Sequence, residues 1–346
     1  MKAQSDSCCI RESPWNSTHP LAIFGGTQCT ELTENICSVI GKAPNNCQVK
    51  PFPNGETMVK LLDDVRGKDV FVIVSVCRQH KADEQGYSGI NDCLMELLVF
   101  GDALRRASAH RITAVIPHFG YARQDRKAEG RTPITAKLFA DMIVAAGYNR
   151  VLTMDLHVDQ IQGFFPGHVP LDHLNAGPLF AAHFNELGLD NVVVLSPDVG
   201  NIKKAEKYRR GFKFPASFAF IDKVRDQSGN VKARNIVGDV DGKTVIFLDD
   251  IISTAGTMME GIHLAQEHGA KDFYLAATHG EFVGAAIERL KSSLIQEICI
   301  TDTVPILSRM RNELPLKVIS IANIFGQAIA RIHCHESISA LLGEYS

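Results

Sequence analysis

An apolar run, Val245-Ile246-Phe247-Leu248, ends on two adjacent carboxylates, Asp249 and Asp250, and after Ile251 and Ile252 gives way to Ser253-Thr254-Ala255-Gly256-Thr257. Neighbouring acids repel, and a buried strand has no use for them, so the arrangement points to a ligand that rewards it. The small and hydroxyl residues let a ligand approach the backbone. They open a stretch with Met258, Ile262 and Ala265 on one helical face and Gly269 as its stop. N–H groups at the start of such a helix favour an anion. A phosphate fits the turn, and the acids upstream suit the hydroxyls of a sugar one ring away. Taken as a bare D-D-x-x-S-T, the residues leave another reading open: a capped helix after a strand ending in two acids that hold a metal.

Other polar residues sit where apolar runs stop. Arg123, Gln124 and Asp125, in FGYARQDR, can grip a nucleotide's phosphates and its base or ribose, or form a solvated charged loop. In PFPNGET, Phe52 can stack on a purine while Asn54 and Glu56 read its edge around Gly55; by itself the segment is also an ordinary turn. Asp155, His157 and Asp198 suit a hard cation such as Mg²⁺, which takes oxygen ligands and keeps several waters; a histidine packed in the core is the other reading of His157. The segment Ile221 to Asn235 carries Lys223, Arg225, Lys232 and Arg234 around Gly229, and reads as a charged loop. Cations there would serve phosphoryl transfer, which depends on positioning and on charge aimed at the transferring group.

The elements that must position these residues are legible as a repeating pattern. Val70 to Val76, Ile112 to Phe119 and Val151 to His157 form one series of short apolar runs. Asn191 to Asp198, Ser217 to Lys223, Thr244 to Asp250, Phe273 to Gly280 and Glu297 to Thr303 form a second. Helical stretches such as CLMELLVFGDALRRAS and ITAKLFADMIVAAG separate them, which implies parallel sheets covered on both faces. The polar strand ends could then converge on one cleft beyond the carboxyl edges. With 346 residues, two α/β domains are expected: 21–165 and 166–346, after a polar extension over 1–20, with roughly the last 35 residues packing back on the first domain. Residues 81–89 read as a polar surface loop. A net charge of −3 gives no sign of nucleic-acid binding. Nine cysteines, Cys8 and Cys9 adjacent and the other seven scattered, without a C-x-x-C pair, no apolar run of spanning length and no signal-peptide centre read as a cytoplasmic chain away from membranes.

The stretch from Asp249 to Thr257 resembles the phosphoribosyl-diphosphate binding motif of phosphoribosyltransferases and of ribose-phosphate diphosphokinases. GDALRRASAHRITAVIPHFGYARQDRKAEGRTPITAK, VLTMDLHVDQIQGFF, NGE, VLSPDVG and NIVGDVDGK match the diphosphokinases in order and spacing, from about Leu21 to the C-terminus. The resemblance implies two doubly wound parallel-sheet domains of phosphoribosyltransferase-like type. It implies transfer of the β,γ-diphosphoryl group of ATP to the 1-hydroxyl of ribose 5-phosphate, a step of nucleotide biosynthesis that releases AMP. By the same resemblance Lys223 and Arg225 are the catalytic cations. Arg123 and Gln124, beside Asp125, bind ATP, as do Asn54, Gly55 and Glu56 beside Phe52. Arg225, Asp249, Asp250 and Ser253 to Thr257 bind ribose 5-phosphate, while His157 and Asp198 hold Mg²⁺. A homo-oligomer, a hexamer in family members, is implied, with the PFPNGET loop serving a neighbouring subunit. Two other functions fit less of the chain: a catalytically weak regulatory paralogue and a phosphoribosyltransferase. The chain departs from the family pattern at Ser253, where an acid is usual, and at Asn201, where a second glycine is common. It also departs at Asp159, at the 81–89 insertion and at SIANIFGQAI, although Arg66 and Arg131 keep their places.

Overall fold

The computed structural model describes residues 19–78, 89–197, 199–225, 231–292 and 294–341. The chain packs as two compact units, one from the N-terminal side to Leu174 together with Ile321–Glu344, the other Asn175–Ser320. The boundary between them lies at 174/175, nine residues past the 165/166 division expected from the sequence. Between the two positions runs β7 (Leu171–Leu174), which carries Asp172 and His173 in four residues, too short and polar to register as an apolar run.

The first unit holds a parallel sheet in the order β1-β4-β5-β6-β7, built from β1 (Leu21–Gly25), β4 (Asp69–Ile73), β5 (Arg111–Ile116), β6 (Arg150–Met154) and β7. Every residue of β4 is buried, as expected of a strand covered on both faces. The helices Ile90–Arg106 and Thr135–Ala146 supply Leu97, Phe100, Leu104, Phe139 and Ile143 to its core. A separate antiparallel hairpin joins β2 (Cys47–Pro51) to β3 (Thr57–Leu61) around the PFPNGET segment.

The returning helix Ala322–His333 is fastened within this unit by a buried ionic cluster. Asp69, 2% exposed, accepts bonds from Arg111 Nε (2.8 Å) and Nη2 (2.5 Å) and pairs with His333 Nδ1 (2.8 Å). Arg111 Nη2 also donates to the carbonyl of Ile332 at 3.0 Å, so one guanidinium joins the sheet to the last turn of the helix.

The second unit contains a seven-stranded sheet in the order β10-β9-β8-β11-β12-β13-β14. Its strands are β8 (Val192–Ser196), β9 (Ala216–Arg225), β10 (Val231–Val237), β11 (Thr244–Ile252), β12 (Asp272–Gly280), β13 (Ile295–Thr301) and β14 (Leu316–Ile319). All neighbours are parallel except β9 and β10. This corrects the reading of Ile221 to Asn235 as a loop. Its described residues belong to two paired strands, with Lys223 opposite Ala233 and Arg225 opposite Val231. Charged residues fit such an edge, where one side of the ribbon meets water and blunts further pairing.

The helix Gly256–Glu267 covers β11 closely because Gly261 faces Phe247; a Cβ there would come within 2.6 Å of the Phe247 ring. Phe247, Ile262, Ala265 and Phe273 lie in the resulting core. Among the described residues no helix is long and apolar enough to cross a membrane.

Candidate active site

The strand order creates a switch point in the second unit. The chain leaves β8 for β9 on one side and, after β10, returns to β11 on the other. At such a point the connections diverge, and a crevice opens beyond the carboxyl ends of the strands. Pairing of β8 with β11 ends at Leu195 and Phe247, whereas β11 continues along β12 to Ile252. Asp249 thus stands just past the end of the β8 pairing, with Ala277 of β12 as its partner on the other side.

Asp249 is half-buried and Asp250 only 4% exposed. Asp249 Oδ1 accepts the Asp250 N–H at 2.9 Å and the Asn201 side-chain amide at 3.4 Å. Burial, then the charge of Asp250, then a hydrogen bond to its carboxyl, push the Asp249 carboxyl well above the usual carboxylate range; nearby Lys204 acts in the opposite direction. The pair resists carrying two negative charges, which a hydroxyl donor or a cation would relieve.

From Ile252 the chain turns through Ser253, Thr254 and Ala255 into the helix Gly256–Glu267. The turn is braced from one side: Ile252 O accepts the N–H groups of Glu281 (2.9 Å) and Phe282 (3.1 Å), and Ser253 O accepts that of Val283 (3.0 Å). Thr254 O accepts Arg289 Nη1 at 2.7 Å. Ala255 adopts a left-handed conformation (φ 57°, ψ 7°), unusual for a residue with a Cβ. The first N–H groups of a helix have no intrahelical acceptor, so Gly256, Thr257 and Met258 present donors of the kind that suit an anion. Five predicted residues, Ser253 to Thr257, and the two acids therefore lie on one continuous strand–turn–helix.

In the first unit, Arg123 and Gln124 are exposed and Asp125 half-buried, between β5 and the helix Thr135–Ala146. Gln124 is tied to that helix: its Oε1 accepts the Thr135 hydroxyl at 2.6 Å and its carbonyl accepts Ala136 N–H at 3.2 Å. Phe52, Asn54, Gly55 and Glu56 form the hairpin tip. Phe52 N–H donates to Glu56 O (2.8 Å), Gly55 N–H to Phe52 O (2.8 Å), and Glu56 N–H to Asn54 Oδ1 (3.2 Å). Gly55 has φ 89°, and the Phe52 ring is 47% exposed at the end of an ordered ribbon.

His157 is half-buried in the turn after β6, two residues beyond Asp155, which is 2% exposed with φ 42°. His173 of β7 organises this turn. Its Nε2 accepts Leu156 N–H at 2.8 Å, which leaves the proton on Nδ1, 3.4 Å from Asp159 Oδ1. Asp198 and residues 81–88 lie outside the described residues; for Lys223 and Arg225 the strand backbone alone is described.

Sequence reasoning missed three residues around these turns, Lys204, Arg289 and His173, and the contact made by Asn201. Each acts across 17 to 48 positions of sequence, so no local pattern announces it. Asn201 alone gave a signal, by standing where a glycine is common.

Comparison with known proteins agrees with this anatomy. Residues 21–147 match the family model of the N-terminal domain of ribose phosphate pyrophosphokinase, and residues 216–343 match that of the phosphoribosyl synthetase-associated domain. A ribose-phosphate pyrophosphokinase of Caldanaerobacter subterraneus is 46% identical over 326 residues, covering 94% of this chain and 98% of the relative. One from Rhodopirellula baltica is 45% identical, covering 94% and 99%. The crystal structure of phosphoribosylpyrophosphate synthetase from Mycobacterium smegmatis superimposes with a TM-score of 0.82 at 39% identity, over 91% of this chain and 99% of that one. Taken with the switch-point acids and the turn into the Gly256–Glu267 helix, these matches establish that the chain belongs to the ribose-phosphate pyrophosphokinase family.

Proposed function

We propose that the second unit seats ribose 5-phosphate at the β8/β11 switch point and that the chain transfers to its 1-hydroxyl the β,γ-diphosphoryl group of ATP. The products are phosphoribosyl diphosphate and AMP. The observation that carries this reading is one continuous element in which two acids, a braced turn and a helix N-terminus follow each other within nine residues. The 5-phosphate is held by the N–H groups and hydroxyls of Ser253 to Thr257. Asp249 and Asp250 accept hydrogen bonds from the ring hydroxyls and orient the anomeric oxygen toward the β-phosphorus.

Arg123, Gln124 and Asp125 take ATP, and the hairpin tip reads its base, with Phe52 stacked on the purine and Asn54 and Glu56 at its edge. Support comes from the bonds that fix Gln124 to its helix and from the exposed ring on an ordered ribbon. Because the tip points into solvent, it suits donation to a neighbouring copy in a homo-oligomer of the hexameric kind. Lys223 and Arg225, near the end of β9, neutralise charge on the transferring group, an effect that needs no covalent intermediate.

His157 and Asp198 would hold Mg²⁺. The fit rests on the donor set around His157: a half-buried imidazole with the Asp155 carboxylate two residues away, in a turn held by His173. Bound there, the ion would draw charge from the phosphate oxygens. A cytoplasmic setting suits the thiols Cys37 and Cys47, which burial chiefly pushes up to about 11.

The test is direct. Purified chain is mixed with ATP, Mg²⁺ and ribose 5-phosphate, with and without inorganic phosphate, and AMP is followed. Ribose-phosphate-dependent AMP release is expected. ATP binding without AMP release would overturn the assignment.

A further inference from the structure

The Asn201 side chain does something its position does not require. Asn201 precedes the helix Ile202–Arg210, where asparagine ordinarily caps the helix, yet its side chain makes no cap hydrogen bond. Its amide is aimed instead across the switch point, donating to Asp249 Oδ1 at 3.4 Å, 48 positions away. One turn further along the helix, Lys204 brings a positive charge to the same carboxylate, and its Nζ is sealed from solvent. Asn201, Lys204, Ala205, Tyr208, Leu248 and Asp249 line a narrow crevice with no room for a water-sized occupant. These groups therefore face each other and leave no seat for substrate between them.

We propose that Asn201 and Lys204 are positioning residues for the diphosphoryl transfer, holding the Asp249 carboxylate at the switch point so that it meets the ring hydroxyls of ribose 5-phosphate as an oriented acceptor. The proposal rests on the reading that the sugar sits at Asp249. The amide and the Asp250 N–H both converge on Oδ1, which fixes the rotation of the carboxylate. Lys204 offsets the unfavourable closeness of Asp250. With the acid in place of Ser253 missing from this chain, the orientation of the remaining carboxylates carries more of the sugar recognition. A glycine at 201 has no side chain for this task, so the departure from the family pattern acquires a function.

The test uses the full chain and separates three results. Asn201 has φ −90° and ψ 0°, an ordinary backbone that accepts other residues, so substitutions there report on the side chain. Asn201→Ala is expected to raise KM for ribose 5-phosphate about tenfold, the scale of losing a hydrogen bond to a charged group, with KM for ATP nearly unchanged. Asn201→Asp is expected to raise it further, because a third carboxylate then faces Asp249; a merely structural role would not distinguish the charge. Lys204→Met follows Asn201→Ala, and Lys204→Arg restores most of the affinity. Wild-type KM for ribose 5-phosphate in Asn201→Ala and Asn201→Asp, alongside a crippled Asp249→Asn, would sink the positioning role and leave the sugar site standing. An Asp249→Asn variant with normal KM for ribose 5-phosphate would sink both. Should Lys204→Met fail to fold, the Asn201 pair decides the matter alone.

Discussion

Asp69→Ala is expected to release the returning helix from the first unit, at a cost that can be worked from its contacts. The carboxylate is 2% exposed and takes two bonds from Arg111, whose side chain is 20% exposed, and one contact from His333. Removing it strands a largely buried guanidinium. Breaking such a pair from one side costs about 3 to 5 kcal/mol, and partial access of water to Arg111 argues for the lower figure. For a unit of this size, about 3 kcal/mol corresponds to a fall in Tm of roughly 6–12 °C. Acid pH should erase the difference. Burial pushes the Asp69 carboxyl up, but the bonds from His333 and Arg111 outweigh it and hold it below the usual range. A depressed carboxylate contributes stability above its unfolded value of about 3.9 and loses it as pH falls through the folded one. Wild type and variant should therefore begin to converge as pH falls below about 4, and meet only once pH passes below the depressed folded value. Calorimetry at neutral and acid pH, with hydrogen exchange over Ala322–His333, checks both halves. A variant that melts within a degree of wild type at neutral pH and keeps that helix protected would refute the reasoning.

The Asp249→Asn change should separate stability from affinity: it removes a carboxyl held well above its usual range by burial and by Asp250, so the apo protein should gain about 1 kcal/mol at neutral pH while ribose 5-phosphate binding collapses. A raised carboxyl costs stability as pH climbs from its unfolded value toward the folded one, so that gain should grow with pH and vanish in acid, as thermal melts across pH will show. Ala255→Val puts a β-branched residue at φ 57° in the phosphate turn; a loss of about 1 to 3 kcal/mol and a weakened KM for ribose 5-phosphate are expected, read by urea melts and by the AMP assay. Lys223→Ala should cut turnover several hundred-fold, about 4 kcal/mol, with ATP still bound in an equilibrium titration; near-normal turnover would remove Lys223 from the mechanism.

Most of the strands that sequence disclosed are buried on both faces, β9 being the exception. β4, β8 and the first half of β11 read as unbroken apolar runs because both faces are covered. Of the strands missed, β1 is a buried apolar run at the edge of its sheet, and the others obey other rules. β2 and β3 are half exposed, so CQVKP and TMVKL mix polar with apolar residues, and only the turn between them was visible. β7 and β14 have four residues each, too few for a period to emerge. β10 looked like a charged loop because its pairing to β9 is set at the sheet edge, where hydrophobicity is not required. Asp249, Asp250 and the turn were legible because a single strand–turn–helix carries them. Asn201, Lys204 and Arg289 were not, since their contacts exist only once strand order brings distant segments together.

That distinction bears on how the site is built. Two adjacent acids at a partly buried strand end are unfavourable in the apo protein, and within β11 the Asp250 N–H relieves Asp249 only in part. Further compensation comes from Asn201 and the helix Ile202–Arg210 that follows it, which reach Asp249 because β8 and β11 are neighbours at the switch point. The same divergence of connections opens the crevice for the sugar. Strand order therefore supplies both the space for a ligand and the donors that hold its receptor in shape. An amide and an ammonium placed there can keep the carboxylate oriented before substrate arrives, so less ordering remains when the hydroxyls bind. Substitutions in that helix should then act on ribose 5-phosphate affinity while leaving ATP affinity nearly untouched, although none of its residues needs to touch the sugar.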